Sequence, residues 1–235
     1  MNFSLLGKLK LFFKLSAIVV LMGILVFNFG CFDSEYSENE NANKTDLTPA
    51  EEIPENDRKV NQWIVYGARQ EVKNEVEYDQ SYFDIDYPGG DPPEDRGACT
   101  DVVVRALRYV DIDLQKRIHE DMAENFDLYP DNWGLTEPDP NIDHRRVSNQ
   151  MVYLKRHGKE FSANENNILE EYKPGDIVAW DLPGGNKHIG VISDKTNEEG
   201  IPLVIHNISG ATEEDVLKSW DLIGHYRYPI SENGS

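Results

Sequence analysis

The chain has 235 residues, with 43 acidic against 23 basic side chains and a formal charge of −20. That length holds one domain with short flanking segments. The acid excess speaks against a nucleic-acid partner, because phosphate binding runs on clustered Lys and Arg.

The chain opens on an export pattern. Lys8, Lys10 and Lys14 lead into an apolar run from Leu15 to Phe29, broken only by Ser16, Gly23 and Asn28. A basic stretch ahead of a short apolar core is the form of a secretory signal, and the run falls short of the roughly 20 apolar residues a spanning helix needs. Gly30-Cys31 ends it and resembles a bacterial lipoprotein cleavage site, which implies that Cys31 becomes an acylated N-terminus. Residues 1–31 are therefore read as a lipoprotein-type signal segment. The expected location is the bacterial cell envelope, lipid-anchored through Cys31 and facing the periplasm or exterior. Each buried CH₂ of such an anchor adds about 0.8 kcal/mol. Residues 32–57 carry nine acidic side chains against Lys44 alone and few large apolar ones. Such a stretch cannot bury enough surface to offset ordering entropy, so it predicts a disordered spacer.

The folded region is read as 58–230. Val60, Ile64, Gly67 or Ala68, and Val72 fall at helical spacing and predict a helix over 58–73. Residues 78–95, with Tyr78, Tyr82, Tyr87, Pro88-Gly89-Gly90 and Pro92-Pro93, predict an aromatic loop. Helices follow over 98–109, 114–126 and 144–157. After Tyr172 the character changes. Short runs at 177–180, 188–193, 203–207 and 223–228, separated by Pro174-Gly175-Asp176, Gly184-Gly185-Asn186 and Asn197 to Gly200, predict strands and turns. Helices first and an antiparallel meander second is an α+β pattern, with N-terminal helices packed on a C-terminal antiparallel sheet.

Cys99 stands where the Gly- and Pro-rich loop gives way to a helix, in Arg96-Gly97-Ala98-Cys99-Thr100-Asp101. Free backbone N–H groups and the helix dipole at such a tip favour a thiolate. With Cys31 lipidated, Cys99 has no disulfide partner, so it is either a small core residue or a reactive thiol. A cysteine hydrolase also needs an imidazole to activate the sulfur and a third group to orient the ring. His188 opens one strand and His206 closes the next, and antiparallel neighbours can bring such residues side by side. His206 or Asn207 is the orienting group. Asp101 reads as a first-turn capping residue. Asp143-His144-Arg145-Arg146 reads either as a helix start with an exposed charged face or as a clamp in which His144 and Arg145 grip a substrate carboxylate. Cys99, His188, His206 and His144 are metal-ligand types, but no tight pair such as C-x-x-C or H-E-x-x-H is present, so neither a metal nor a cofactor is assigned.

Arg96-Gly97-Ala98-Cys99-Thr100-Asp101-Val102-Val103, Asp143-His144-Arg145-Arg146, Pro174-Gly175-Asp176-Ile177-Val178, His188-Ile189-Gly190-Val191 and Ile205-His206-Asn207-Ile208 together resemble the YijF-like bacterial family, known as domain of unknown function 1287. The likeness runs from about Val60 to Tyr228. The same strands are more distantly similar to the NlpC-type peptidases of the papain-like superfamily. That similarity implies a papain-like fold with Cys99, His188 and His206 as the catalytic set. It also implies that Tyr87, within Tyr87-Pro88-Gly89-Gly90, lines the site. Ala98 ahead of Cys99 and the long helical insert between Cys99 and Pro174 depart from those enzymes. The reading that results is an exported Cys/His hydrolase acting on a cell-envelope peptide such as a peptidoglycan fragment. Its rival is a non-catalytic module that binds an envelope ligand on the same scaffold.

Overall fold

The computed structural model describes residues 48–163 and 169–230. The Leu15–Phe29 run, Cys31 and residues 32–47 of the predicted spacer lie outside the described residues. Among those described, no helix is long and apolar enough to cross a membrane.

The central element is the helix α2, Cys99–Arg108. Every residue from Cys99 to Leu107 is buried, which is how a helix surrounded on all sides behaves. Val102, Val103, Val104 and Leu107 are fully enclosed, each contributing roughly 1.5–3 kcal/mol of apolar burial. Before it come α1 (Val60–Lys73), packed on α2, and a two-residue parallel pairing of β1 (Glu77–Tyr78) with β2 (Arg96–Gly97). After it come α3 (Leu114–Asn125) and α4 (Val147–His157). The Asp113 carboxylate accepts the Lys116 N–H and caps α3. The predicted helices at 58–73, 98–109 and 114–126 are thus present. The one predicted at 144–157 begins later, because Asp143–Arg145 forms a 3-10 turn ahead of α4.

Six strands form one antiparallel sheet in the order β3-β8-β4-β5-β6-β7. They are β3 (Lys159–Phe161), β4 (Ile177–Asp181), β5 (Lys187–Thr196), β6 (Pro202–Asn207), β7 (Ala211–Glu214) and β8 (Asp221–Arg227). The fold is α+β, and β4, β5 and β6 run as the meander read from the sequence; β7 extends it, and β8 returns to the far side of β4. Both edge strands, β3 and β7, went unpredicted. They are short and rich in charge, as edges commonly are.

Strand alternation divides the core. Ile177, Ala179, Ile189, Val191 and Ile205 join the helices in one apolar cluster. Val178, Trp180, Ile192 and Val204 form a second cluster with Val216 and Leu217 on the opposite face.

Residues 50–57 pack against the domain, so the folded region starts ahead of the predicted spacer boundary at 57. Ala50–Glu52 and Glu55–Asp57 form 3-10 turns. Ala50 is fully buried and donates its N–H to Asp194 Oδ2 at 2.7 Å. Arg69 gathers Glu51, Asp194 and Glu213 around one guanidinium. Three of the chain's acidic side chains are therefore held around a buried cation.

Candidate active site

Cys99 is the first residue of α2, and its surroundings are tied down on several sides. Asp101 Oδ2 accepts the Ala98 N–H at 2.6 Å, closing the first turn. The same carboxylate pairs with Arg145, at 2.9 Å from Nε to Oδ1, and both side chains are about 1% exposed. Arg145 also donates to the carbonyls of Ser81 and Asp79. Thr100 Oγ1 donates to the Arg145 carbonyl, and Gln150 Nε2 to the Thr100 carbonyl. From the sheet, Asn207 Nδ2 donates to the carbonyls of Gly97 and Val76. The sulfur itself is buried. Burial pushes the Cys99 thiol up to about 12, opposed by hydrogen bonding from the Ile189 backbone and reinforced by the Asp101 charge. At neutral pH Cys99 rests as a thiol; desolvation outweighs the helix tip.

His188 and His206 meet on β5 and β6, with Nε2 of His188 and Nδ1 of His206 hydrogen-bonded at 2.8 Å. The other nitrogen of His206, Nε2, lies 3.0 Å from Glu214 Oε1 on β7. Indole rings wall the pair. Trp180 stacks on His188 at 5.8 Å, while Trp220 meets His188 and His206 edge-on at 5.6 and 5.9 Å. Gly190 makes the close approach of the strands feasible, since a Cβ there would stand 2.8 Å from Val204 Cγ1 and 3.1 Å from His206 Cβ. Burial lowers His188 to about 3, with the His206 charge adding to the effect. Burial also lowers His206, against the pull of Glu214. Both rings are neutral at pH 7, and a neutral imidazole is a proton acceptor.

The thiol and the imidazoles approach the sheet differently. Ile189 and Ile205 face the helices, so alternation sets His188 and His206 on the face shared with Trp180. Cys99 reaches β5 at the backbone of Ile189, the residue after His188. Among the described residues no hydrogen bond joins the Cys99 sulfur to His188.

Other sequence-derived candidates fall elsewhere. Arg145 is buried in its pairing with Asp101, which corrects both the clamp and the exposed-face readings: the guanidinium binds the chain, not a visitor. His144 is also buried, at 1% exposure, and neither ring nitrogen has a hydrogen-bond partner among the described residues. Burial, with the Arg145 and Arg108 charges, lowers it to about 3. Tyr87 is exposed and rests edge-on against His119 of α3, 4.9 Å between ring centroids. The tyrosine electrostatically coupled to the sulfur is Tyr78 of β1, which pairs with Gly97 of β2 and whose phenol is pushed up by burial and by Cys99. Of the two orienting candidates, His206 bonds His188 and Asn207 anchors the loop before α2. Asp176, from the Pro174-Gly175-Asp176 turn, binds His225 and Arg227. Gly175 there has φ +85, and a Cβ would stand 2.7 Å from the Asn61 carbonyl oxygen, so this motif is a packing device. Among the described residues no group of three or more His, Cys, Asp and Glu is arranged to hold a metal ion.

Tyr78, Glu214 and the two tryptophans are the site residues the sequence reading missed. The alternation Thr212, Glu214 opposite His206 was the available signal for Glu214, hidden because β7 is short and acidic.

Comparison with known proteins agrees with the motifs. Residues 65–228 match the family model described as a domain of unknown function, DUF1287. The chain is 53% identical over 166 residues to a protein of Escherichia coli strain K12 described as uncharacterized protein YijF, covering 70% of this chain and 80% of that one. A match of that extent and identity makes this chain a member of the DUF1287 family.

Proposed function

We propose that this chain is an exported, lipid-anchored Cys/His hydrolase that cuts an amide bond in a cell-envelope peptide, on a scaffold of the NlpC type. The observation that carries the reading is the neutral His188–His206 pair, 2.8 Å between nitrogens, on the strand whose next residue hydrogen-bonds the Cys99 sulfur. In this reaction Cys99 attacks the carbonyl carbon as His188 takes the thiol proton. Backbone N–H groups at the start of α2 hold the oxyanion, and His188 returns the proton to the leaving amine. Water then hydrolyses the thioester. Starting from thiol and neutral imidazole, proton transfer accompanies attack and no ion pair precedes it. The basic, apolar and Gly30-Cys31 segments at the N-terminus support export and anchoring.

The test is incubation of the full chain with defined muropeptides and mass analysis of the products. Cleavage by the wild type and none by Cys99→Ala is the expected result; equal cleavage by both overturns the proposal. One observation favours the binding-module reading instead: the sulfur is buried and its thiol raised. Iodoacetamide separates the two. An activated Cys99 reacts at neutral pH at a rate that depends on His188, whereas a binding module leaves it slow in both wild type and His188→Gln.

A further inference from the structure

We propose that Glu214 is a positioning residue that fixes the proton arrangement of both imidazoles, so that His188 presents a bare Nδ1 as its proton acceptor. The inference rests on the hydrolase reading for its purpose, but its geometry stands apart from it. Three groups form an unbroken line: Glu214 Oε1 to His206 Nε2 at 3.0 Å, then His206 Nδ1 to His188 Nε2 at 2.8 Å. His206 is fully buried and His188 nearly so, while Glu214 stands at the outer end of the line, 47% exposed.

The chemistry follows from donor and acceptor counting. A carboxylate accepts and does not donate, so the nitrogen facing it must carry the hydrogen. A neutral imidazole has one N–H, which places it on Nε2 of His206 and leaves Nδ1 with a lone pair. That lone pair requires a donor, and His188 Nε2 is the atom opposite. The single hydrogen of neutral His188 is thereby assigned to Nε2, and Nδ1 is left bare. Without the carboxylate the two rings exchange roles freely: His206 can donate from Nδ1 and His188 accept at Nε2, putting the hydrogen on His188 Nδ1. In that arrangement His188 has no free lone pair for a thiol proton.

The alternative, a doubly protonated His206 between Glu214 and His188, places a cation on a fully buried ring beside Trp220, and burial disfavours it. The exposure of Glu214 matters as well. Its charge is screened, so it acts chiefly as an acceptor at fixed distance.

Full-length protein labelled with ¹⁵N at histidine and observed by long-range ¹H–¹⁵N correlation reads the hydrogen positions directly. The expected wild-type pattern has Nε2–H on both rings and bare Nδ1 on both. In Glu214→Ala the pattern mixes, and the alkylation rate of Cys99 at neutral pH falls roughly tenfold, the size of one hydrogen bond to a charged group. Glu214→Gln retains an acceptor oxygen and restores both readouts, which a merely structural loss of folding would not do. Nδ1–H on His206 in the wild type, or an unchanged pattern in Glu214→Ala, overturns the inference. If the wild type shows the expected pattern, Glu214→Ala scrambles it, and no muropeptide is cleaved by either, the inference stands and the hydrolase reading falls.

Discussion

The tip of α2 and the imidazole pair on β5 and β6 hold buried polar groups by opposite means. At the tip, a full charge on Asp101 is met by a full charge on Arg145, and the neighbouring carbonyls of Asp79, Ser81, Gly97 and Thr100 are each taken by a side chain. Across the sheet, His188 and His206 are uncharged and satisfied by each other and by Glu214. Charge pairing suits a part that must stay in place, since breaking it strands an ion in a dry interior. Neutral rings suit a part that must change protonation, since a small change in surroundings moves their hydrogens. The charge pair and Cys99 lie on the helix side of the sheet and the neutral rings on the other, with Cys99 meeting β5 at the backbone of Ile189.

The sharpest way to break this division is to disable the neutral side alone. His188→Gln keeps bulk and a hydrogen-bonding group beside His206 but accepts no proton, so muropeptide turnover should fall by about 10²–10⁴-fold. Urea unfolding should show little change; a large loss of stability would mean the pair is architectural. The reverse experiment is Arg145→Ala, which leaves Asp101 buried without its counter-ion. It should cost about 3–5 kcal/mol in chemical denaturation, and a cost under ~1 kcal/mol would show that the tip does not depend on the pairing.

Acid should separate the two regions without mutation. His188 and His144 titrate near 3 in the folded chain against an ordinary value of 6.5, and His206 is shifted in the same direction. Above about pH 6.5 both folded and unfolded chains hold these rings neutral, and stability is complete. As pH falls from 6.5 toward 3, the unfolded chain takes up protons that the folded chain refuses, so stability declines. Urea midpoints measured across that range should fall steadily, and His144→Leu should flatten part of the slope. The smallest effect belongs to Tyr87→Phe, which touches neither region. Turnover should be unchanged and stability within about 0.5 kcal/mol, while Tyr78→Phe, coupled to the sulfur, should lower turnover measurably. Equal effects from both tyrosines would undo the placement of Tyr78.

Much of this arrangement was legible in the residues. Val103, Ala106 and Leu107 marked α2 as apolar, and Ile177-Val178-Ala179-Trp180 and His188-Ile189-Gly190-Val191 read as strands that the sheet contains. The Gly184-Gly185-Asn186 turn sets β5 beside β4, and the Asn197–Gly200 turn sets β6 beside β5, which is enough to bring His188 toward His206. Arg145 was opaque because its partner Asp101 lies 44 residues away, and nothing local distinguishes an arginine paired inside from one presented outside. Tyr87 stands out over Tyr78 in the sequence because its Gly-Gly context resembles the NlpC-type segment, whereas the pairing of β1 with β2 is two residues long and has no periodicity to read. Ala50 and Glu51 looked like spacer for the same reason, their burial depending on Arg69 and Asp194 from distant elements.

Local pattern determined which segments became helices and strands, and which side chains carried reactive sulfur and nitrogen. That is so because periodicity, turn chemistry and residue type act over a few neighbours. Tertiary structure decided which buried ions found partners, which face of the sheet each imidazole took, and that desolvation overrides the helix tip at Cys99. Those outcomes depend on long-range burial and pairing, whose energies exist only once distant segments of the chain have met.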